Sequence, residues 1–376
     1  MYTADTSGVC SALYEFGGMT VIHDASGCNS TYTTHDEPRW YDKRSMVFIS
    51  ALTEMDAIMG NDEKLISDCV SAAEDLRPEF IALCGSPMPM MTGVDFEAIA
   101  SEIASRSGIP TFGLHTNGTV SYITGASQAF AALVRGFVKR VPKSSRIGVN
   151  VIGMTPLDFP IGSDHSVKKW LEANDMELIC NLGMGSALED VKRMTAASVD
   201  LVVSETGVEA AEYLRKYYDI PYVFGVPLGE GFSASLAEIL KKEAAAPSDK
   251  AKGHFPDAFR PNREADTLII AEGVYGASLC AALKADFGID AGLLCPLPAE
   301  DDFYAFTNGS CVFAEEDIEA FIAEMMPSRV IADPLYKYVI PSETKHILLP
   351  HLAFSGRSFQ RSIPDLINTD IKEYCK

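Results

Sequence analysis

Short apolar segments recur along the chain, and each ends in a loop rich in glycine, proline, serine or aspartate. A helical pattern follows many of these segments, and this alternation is typical of βαβ units, which build parallel sheets. The sequence therefore predicts an α/β fold in which parallel sheets are flanked by helices. The predicted strands are Met19 to His23, Met46 to Ser50, Phe80 to Cys84, Thr111 to Leu114, Ile147 to Ile152, Leu201 to Ser204, Tyr222 to Val226, Leu268 to Ala271, Gly292 to Cys295, Val330 to Ala332 and His346 to Leu349.

One helix is especially clear between the second and third predicted strands. Residues Asp62 to Leu76 carry apolar side chains at helical period, and Asp62 and Glu63 suit the positive end of the helix dipole. We expect the apolar stripe to pack on a sheet. Cys69 lies within this stripe, so we interpret it as a small buried hydrophobic residue rather than as a ligand.

Two polar segments that contain proline divide the chain into thirds. Residues 139–146 read KRVPKSSR and residues 244–264 read AAAPSDKAKGHFPDAFRPNRE, and a predicted strand follows each. A chain of 376 residues also exceeds the usual size of one hydrophobic core. We predict domains over residues 1–142, 143–260 and 261–376, with the C-terminal segment of the third returning toward the first.

Acidic residues outnumber basic ones, with 52 Asp and Glu against 31 Lys and Arg and a formal net charge of -21. Phosphate binding needs clustered cations, so the composition argues against nucleic acid as a partner. Residues Met1 to Gly8 lack the basic and apolar parts of an export signal. No segment reaches the ~18 apolar residues of a membrane span. We therefore expect a soluble, cytoplasmic protein with no membrane partner.

The nine cysteines form an odd set without regular spacing, and a chain of this size needs no disulfide framework. They indicate a reducing compartment. No Cys-x-x-Cys pair is present, so neither a zinc ribbon nor a ferredoxin-type cluster is predicted. Any metal site must take its ligands from separate loops.

The segment Val21 to Trp40, VIHDASGCNSTYTTHDEPRW, carries the most chemistry. A predicted strand runs into a turn that offers a thiol, imidazoles and carboxylates. Gly27 allows the backbone to approach a bulky ligand, and the polar neighbours of Cys28 can donate hydrogen bonds to sulfur. An ordinary helix-cap loop with a buried thiol is the alternative, because a single Gly-Cys pair is a weak signal.

A second candidate is Leu83 to Phe96, LCGSPMPMMTGVDF, where a strand ends in Cys84 and a loop leads to a helix that begins near Asp95. Loops at the carboxyl ends of parallel strands often bind ligands. The methionines of this loop could line a pocket or simply fill gaps in the core. Cys10 precedes a helical segment and could lie beside Cys28 across one βα loop.

Motifs for nucleotide binding and ester hydrolysis are missing from the sequence. Residues 268–279, LIIAEGVYGASL, lack the GxGxxG pattern, and a tight strand-to-helix turn is the simpler interpretation. Neither a GxxxxGK loop followed by Ser or Thr nor a GxSxG nucleophile motif occurs. ATP hydrolysis by this chain is therefore disfavoured. We interpret His346 and His351 as structural residues at a strand edge.

Several motifs, in order, resemble the nitrogenase component 1 family and together cover nearly the whole chain. In that family a Gly-Cys pair after a strand ligates an iron-sulfur cluster, and Gly27 and Cys28 match this pair. The resemblance implies three Rossmann-like domains with parallel sheets flanked by helices, in agreement with the thirds of the chain. The motifs are VIHDASGC at 21–28, FISALTEMDAIMGNDEKLISD at 48–68, SPMPMMTGVDFEAIA at 86–100, IGVNVIGMTPLDFP at 147–160, IADPLYKYVIP at 331–341 and PHLAFSGR at 350–357.

The resemblance also implies a nitrogenase-like oxidoreductase that works by electron transfer. Cys28 is the first choice as a metal ligand, with Cys10 and Cys84 as further ligands of an iron-sulfur cluster of the 4Fe–4S type at a dimer interface. An ATP-dependent iron-sulfur reductase, similar to the nitrogenase iron protein, would supply single electrons, so ATP is expected only on that partner. The side chains near the cluster loop that could deliver protons to a small-molecule substrate are His23, Asp24, His35 and Asp36.

Other interpretations of the family resemblance stay open at this point. The dimer partner could be a second copy of the chain or a paralogous subunit. The chain could also be a maturation scaffold that holds a cluster or a tetrapyrrole without turnover, or a doubly wound ligand-binding protein with no metal. The cysteine and histidine that hold the active-site cofactor of nitrogenase have no convincing match, so we do not expect dinitrogen reduction.

Overall fold

The computed structural model describes residues 2–25, 37–247, 253–298 and 309–375. These residues form three parallel sheets flanked by helices, so the predicted fold class is confirmed. Each sheet takes its strands from one stretch of the chain, 19–114, 147–224 or 267–348. The domain boundaries near 142 and 260 stay predictions. Among the described residues, every helix is too short or too polar to cross a lipid bilayer.

The first sheet has the strand order β2-β1-β3-β4, and all of its neighbouring strands run parallel. Its strands are β1 (Met19–His23), β2 (Met46–Ile49), β3 (Ile81–Gly85) and β4 (Thr111–Leu114). The helices of this stretch are α1 (Asp5–Leu13), α2 (Glu54–Met59), α3 (Asp62–Leu76), α4 (Pro87–Thr92), α5 (Phe96–Ser107) and α6 (Tyr122–Phe137). Helix α3 has the predicted bounds and buries its apolar stripe, including Cys69, against the sheet.

The second sheet has the order β6-β5-β7-β8 and is also parallel. Its strands are β5 (Ile147–Ile152), β6 (Met176–Leu182), β7 (Val199–Val202) and β8 (Tyr222–Phe224). Its helices are α7 (Ser163–Ala173), α8 (Leu188–Lys192), α9 (Val208–Tyr218) and α10 (Gly231–Ala245). The sequence analysis missed β6, because Glu177 and Asn181 interrupt its apolar run in an edge strand that is only partly buried.

The third sheet has the order β11-β10-β9-β12-β13, again with parallel pairing. Its strands are β9 (Thr267–Ile270), β10 (Gly292–Cys295), β11 (Ser310–Cys311), β12 (Arg329–Ala332) and β13 (Lys345–Leu348). Its helices are α11 (Gly273–Phe287), α12 (Glu315–Met325) and α13 (Leu352–Ser355). Short 3-10 helices cover Met194–Ala196, Glu205–Gly207, Pro334–Tyr338, Gly356–Ser362 and Lys372–Cys375. The two-residue strand β11 was also missed.

The segment after β3 corrects one prediction. It was expected to be a loop, but residues Pro87–Thr92 form the short helix α4. Pro87 suits the first turn of a helix because its missing N–H would have no partner there. Gly93 ends the helix with a φ of 73°, and α5 then begins after Asp95, as predicted, with the Asp95 side chain accepting from the N–H of Ala98.

Helices α1 and α6 join the first sheet to the rest of the molecule. All nine residues of α1 are buried, and the helix crosses α6 through glycines. A Cβ atom on Gly8 would lie 2.1 Å from the carbonyl oxygen of Tyr122, and one on Gly125 would lie 1.9 Å from that of Asp5. On its other side α6 packs against α9 of the second sheet. This close crossing fixes the position of every side chain on α1.

The C-terminal residues contact the first two stretches of the chain. The N–H of Thr3 donates to the carbonyl oxygen of Ala353 at 2.7 Å. Leu228 forms an antiparallel bridge with Ile367. These contacts close a cleft between the N-terminal segment and residues 352–356.

Candidate functional site

Two of the predicted proton carriers lie at the carboxyl end of β1. His23 is buried, with its Nδ1 2.8 Å from the hydroxyl of Ser50, and its ring packs edge-on against Phe96. Burial lowers the pKa of His23, and the nearby carboxylate of Asp62 only partly opposes this. Asp24 accepts a hydrogen bond from the hydroxyl of Ser86 at 2.6 Å. His23 therefore favours the neutral form, and its role as a proton carrier stays a prediction.

The residues that directly follow β1 carry the central predictions. Gly27, Cys28, His35 and Asp36 lie outside the described residues. Their assignments as ligand, ligand neighbour and proton carriers stay predictions.

Arg39 anchors the chain where the description resumes. Its guanidinium is buried and donates to Glu37 at 2.7 Å and to Glu15 at 3.0 Å. It also donates to the carbonyl oxygens of Ser11 at 2.7 Å and Gly183 at 2.8 Å. A buried arginine needs such partners because an unpaired charge in the interior is strongly unfavourable. Arg39 thus ties residue 37 to helix α1 and to the second sheet.

The structure brings Cys10 and Cys84 together. Cys84 lies on β3 opposite Ile22, and its side chain faces α1, on the other side of the sheet from Phe96. Hydrogen bonding with Cys10, together with burial, raises the pKa of the Cys84 thiol. Because Cys10 is on α1, the α1–α6 crossing sets this contact. Within the described residues, no group of three or more His, Cys, Asp or Glu side chains is placed to hold a metal ion.

Cys10 also lines the cleft that the C-terminal segment closes. This cleft encloses about 1050 Å³ of empty space, part of it open to solvent. Its walls are largely apolar, with polar groups next to Cys10, and its lining includes Tyr2, Ser7, Ser11, Glu37, Leu157 and Phe354. A neighbouring cleft shares Glu37 and is lined by Arg357 and Arg361. A small molecule in the main cleft would therefore lie close to the thiol pair.

A second polar group, which the sequence analysis missed, lies between the three sheets. We call Tyr122, Asp158, Glu272 and His351 the interdomain cluster. The carboxylate of Asp158 accepts from the Tyr122 hydroxyl and from Ser204 at 3.0 Å. Its Oδ1 is 3.1 Å from Nε2 of His351. Each of these residues follows a strand or begins a helix, so the carboxyl edges of the parallel sheets bring them together.

Glu272 begins α11 and faces the same space. Its side chain accepts from the N–H groups of Glu205 at 3.0 Å and Tyr275 at 2.9 Å. Burial, and then the negative charge of Asp158, raises its pKa to about 8. The carboxyl group is thus mainly protonated near neutral pH. Glu272, Asp158 and His351 line a cavity with about 470 Å³ of empty space.

Part of this cluster could have been found from the sequence. Glu272 directly follows a predicted strand, and that position in a parallel sheet is where ligands bind, but the segment was interpreted only as a tight turn. His351 was interpreted as a structural residue, whereas it contacts Asp158 and its Nδ1 is buried without a hydrogen-bond partner among the described residues. Tyr122 and Asp158 carried no local signal.

The fold and the site define a class of protein, an α/β protein whose three parallel sheets surround a cleft that has a thiol pair on one side and a buried acid–histidine group on the other. The chain belongs to the family of nitrogenase component 1 type oxidoreductases, whose family model matches residues 6–347. The resemblance seen in the ordered motifs is thereby confirmed.

Individual relatives are more distant. One of the two kinds of chain in the light-independent protochlorophyllide reductase of Pelodictyon phaeoclathratiforme is 24% identical over 244 residues, 62% of this chain and 44% of that protein. The corresponding protein of Chloroflexus aggregans is 24% identical over 158 residues, 42% of this chain and 29% of that protein. The matched region therefore spans less than half the length of these relatives.

A solved structure, nitrogenase Cp1 at pH 6.5, superposes with a TM-score of 0.69 at 16% sequence identity. The match covers 95% of this chain and 87% of that one. At this identity the likeness shows a shared fold of three parallel sheets.

Proposed function

We propose that this chain is the substrate-reducing component of a two-component reductase. It receives single electrons from a separate ATP-dependent iron-sulfur reductase through an iron-sulfur cluster, and it reduces a small organic molecule in the cleft. The contact between Cys10 and Cys84 beside the cleft is the observation that carries this proposal. Family membership supports the reaction class, and the relatives named as reductases support reduction over cluster storage.

The residues present suit a cluster with thiolate ligands. Cys10 and Cys84 provide two thiols in contact, and Cys28 is the third candidate, from the segment after β1. An apolar environment that raises a thiol pKa keeps the metal-free site protonated, so iron binding there releases protons and strengthens as the pH rises. When bound, the cluster would accept and pass on one electron at a time. The chain itself binds and orients the substrate and supplies protons.

An exposed apolar surface suggests where a second chain binds. Helices α2 and α4 contact each other, and they follow β2 and β3, the two neighbours of β1. We call the exposed side chains on these helices the methionine face, which consists of Met55, Ile58, Met59, Met90 and Met91. Contiguous apolar surface of this kind typically marks a protein interface. Since it borders the carboxyl end of β1, a second component-1 chain bound here would lie next to the predicted cluster loop.

Iron content tests the cluster site. The full-length chain is reconstituted with iron and sulfide under anaerobic conditions, and iron and acid-labile sulfide per chain are measured for Cys10→Ala, Cys84→Ala and Cys180→Ala. Cys180 is the matched control because it is equally buried but lies on β6 of the second sheet. We expect the first two variants to lose most of their iron and the control to keep it. Equal iron in all three would remove Cys10 and Cys84 from the site.

Electron transfer tests the reaction. The iron-loaded chain is mixed with a purified nitrogenase iron protein-like reductase, and oxidation of that reductase is followed with and without ATP. We expect ATP-dependent oxidation with the wild-type chain and none with Cys84→Ala. A chain that holds iron but accepts no electrons under any of these conditions would instead be a maturation scaffold.

The methionine face is tested by the molecular mass in solution. Ile58→Glu and Met91→Glu each place a charge on this face, while Met326→Glu places one on an equally exposed methionine of the third stretch. We expect the first two variants to sediment as monomers and Met326→Glu to sediment as wild type. A wild-type chain that is monomeric while it retains iron would point to a paralogous partner or to no bridging site.

A further inference from the structure

We infer that the interdomain cluster is an internal proton store for the reduction, in which Glu272 holds the exchangeable proton and His351 connects it to the cavity. This inference rests on the proposed reductase function. It concerns residues from four separate segments of the chain, none of them near the predicted cluster ligands. Reduction of an organic double bond takes up two electrons and two protons, so a reductase that receives its electrons singly needs a matched supply of protons.

The hydrogen bonds distinguish two carboxyl groups in this cluster. Asp158 is surrounded by donors, because Tyr122, Ser204 and Thr155 all direct hydroxyl groups at its two oxygens. Such an arrangement stabilises the charged carboxylate. Glu272 instead accepts from two backbone N–H groups in a buried site and faces the negative charge of Asp158. Two close carboxyl groups with such different surroundings divide into one charged and one protonated member.

The other groups around Glu272 come from every element packed against it. Glu205 follows β7, Tyr275 lies one turn further along α11, Asp333 follows β12, and His351 follows β13. Asp333 is engaged by the N–H groups of Leu335 at 2.9 Å and His351 at 2.8 Å. This acidic environment favours the protonated form of Glu272, which agrees with its raised pKa.

His351 gives the store an outlet. Its Nε2 faces Asp158, while its Nδ1 is buried without a hydrogen-bond partner in the described part of the chain. An imidazole can take up a proton on one nitrogen and release a proton from the other. Tyr2 packs edge-on against the His351 ring, 5.4 Å between centroids, and lines both the small cavity and the main cleft. Each proton that leaves by this path would be replaced on Glu272 from solvent water.

Infrared spectroscopy of the full-length chain tests whether Glu272 carries a proton. The carbonyl stretch of a protonated carboxyl group is followed from about pH 6 to about pH 9.5. Asp200 gives the matched control, because it is also buried and its pKa is also raised to about 8, but it lies inside the second sheet on β7. We expect Glu272→Gln and Asp200→Asn each to remove a different titrating band. If Glu272→Gln removes no band, Glu272 is ionised and the inference fails.

Exchange of the same bands in D2O separates a connected proton store from an acid that is merely buried. We expect His351→Phe and His351→Gln to slow exchange of the Glu272 band at least about tenfold, because the imidazole path is lost, and to leave the Asp200 band unchanged. Unchanged exchange of the Glu272 band in both variants would overturn the role of His351. Both measurements are made without substrate or reductase, so they can fail while the proposed function holds, and the reverse.

Discussion

The buried acid Asp200 allows a quantitative test of how the second sheet is held together. Its side chain lies between β5 and β7, where Nδ2 of Asn150 donates to Oδ1 at 2.7 Å. Oδ2 of Asp200 and Oδ1 of Asn150 have no hydrogen-bond partner within the described residues. Both are acceptors, so a proton on Asp200 would satisfy the pair. Burial raises the pKa of Asp200 from 3.8 to about 8, in agreement with this geometry.

The magnitude follows from the linkage between protonation and folding. The folded chain binds this proton more tightly than the unfolded chain, so its contribution to stability is fully present below about pH 4 and is lost as the pH rises toward about pH 8. Each pH unit in that window costs about 1.4 kcal/mol, or about 4 kcal/mol by about pH 7. Asp200→Asn supplies an N–H where the proton stood. We expect it to be roughly as stable as wild type at about pH 4 and more stable by up to about 4 kcal/mol at neutral pH.

Guanidinium unfolding at several pH values, followed by the fluorescence of the tryptophans, measures this difference. Trp170 is buried on α7 and reports on the same sheet. The exposed Asp75→Asn is the control and should stay within about 0.5 kcal/mol of wild type throughout. A stability difference between Asp200→Asn and wild type that does not change with pH would show that Asp200 is ionised in the fold, and the reasoning would be wrong.

Three further variants test other parts of the molecule. Cys28→Ala should abolish bound iron and electron acceptance without unfolding the chain, while Cys69→Ala should keep its iron and lose on the order of 1 kcal/mol of stability; iron analysis and thermal melting distinguish them. Arg39→Met should destabilise the chain by about 3–5 kcal/mol in chemical unfolding, because Glu37 is left buried without its cation. Gly125→Ala should separate α1 from α6 and reduce both the melting temperature and the iron content, whereas a wild-type melting curve would contradict the close crossing.

Elements governed by local pattern could be predicted from the sequence. Helix α3 has the predicted bounds because its apolar stripe and its acidic first turn are both local features. Strand β6 was missed because its burial is decided by its neighbour β5 rather than by its own residues. Helix α4 was mistaken for a loop because Pro87 and Pro89 were interpreted as stiffening a turn, although proline also suits the first turn of a helix.

The candidate site depends on contacts between residues far apart in the chain. Cys10 and Cys84 were each proposed as ligands through the family resemblance, but their contact requires α1 to cross α6 at Gly8 and Gly125, and no sequence spacing encodes that crossing. The interdomain cluster was less accessible still. Asp158 and His351 come from different sheets, and each alone is compatible with an ordinary structural role.

The arrangement of the two groups around the cleft has a physical reason. Thiols next to an apolar core suit a site that exchanges electrons, because solvent exposure and hydrogen bonding set the potential of an iron-sulfur cluster. A proton store has the opposite requirement, since it needs polar partners and a route to water. Parallel sheets meet both needs by separating them: β1 and β3 lead to the thiols, whereas Glu272 follows β9 and Asp158 follows β5. Tyr2 lies between the two groups and contacts both cavities. A substrate in the main cleft would thus meet electrons from one side and protons from the other.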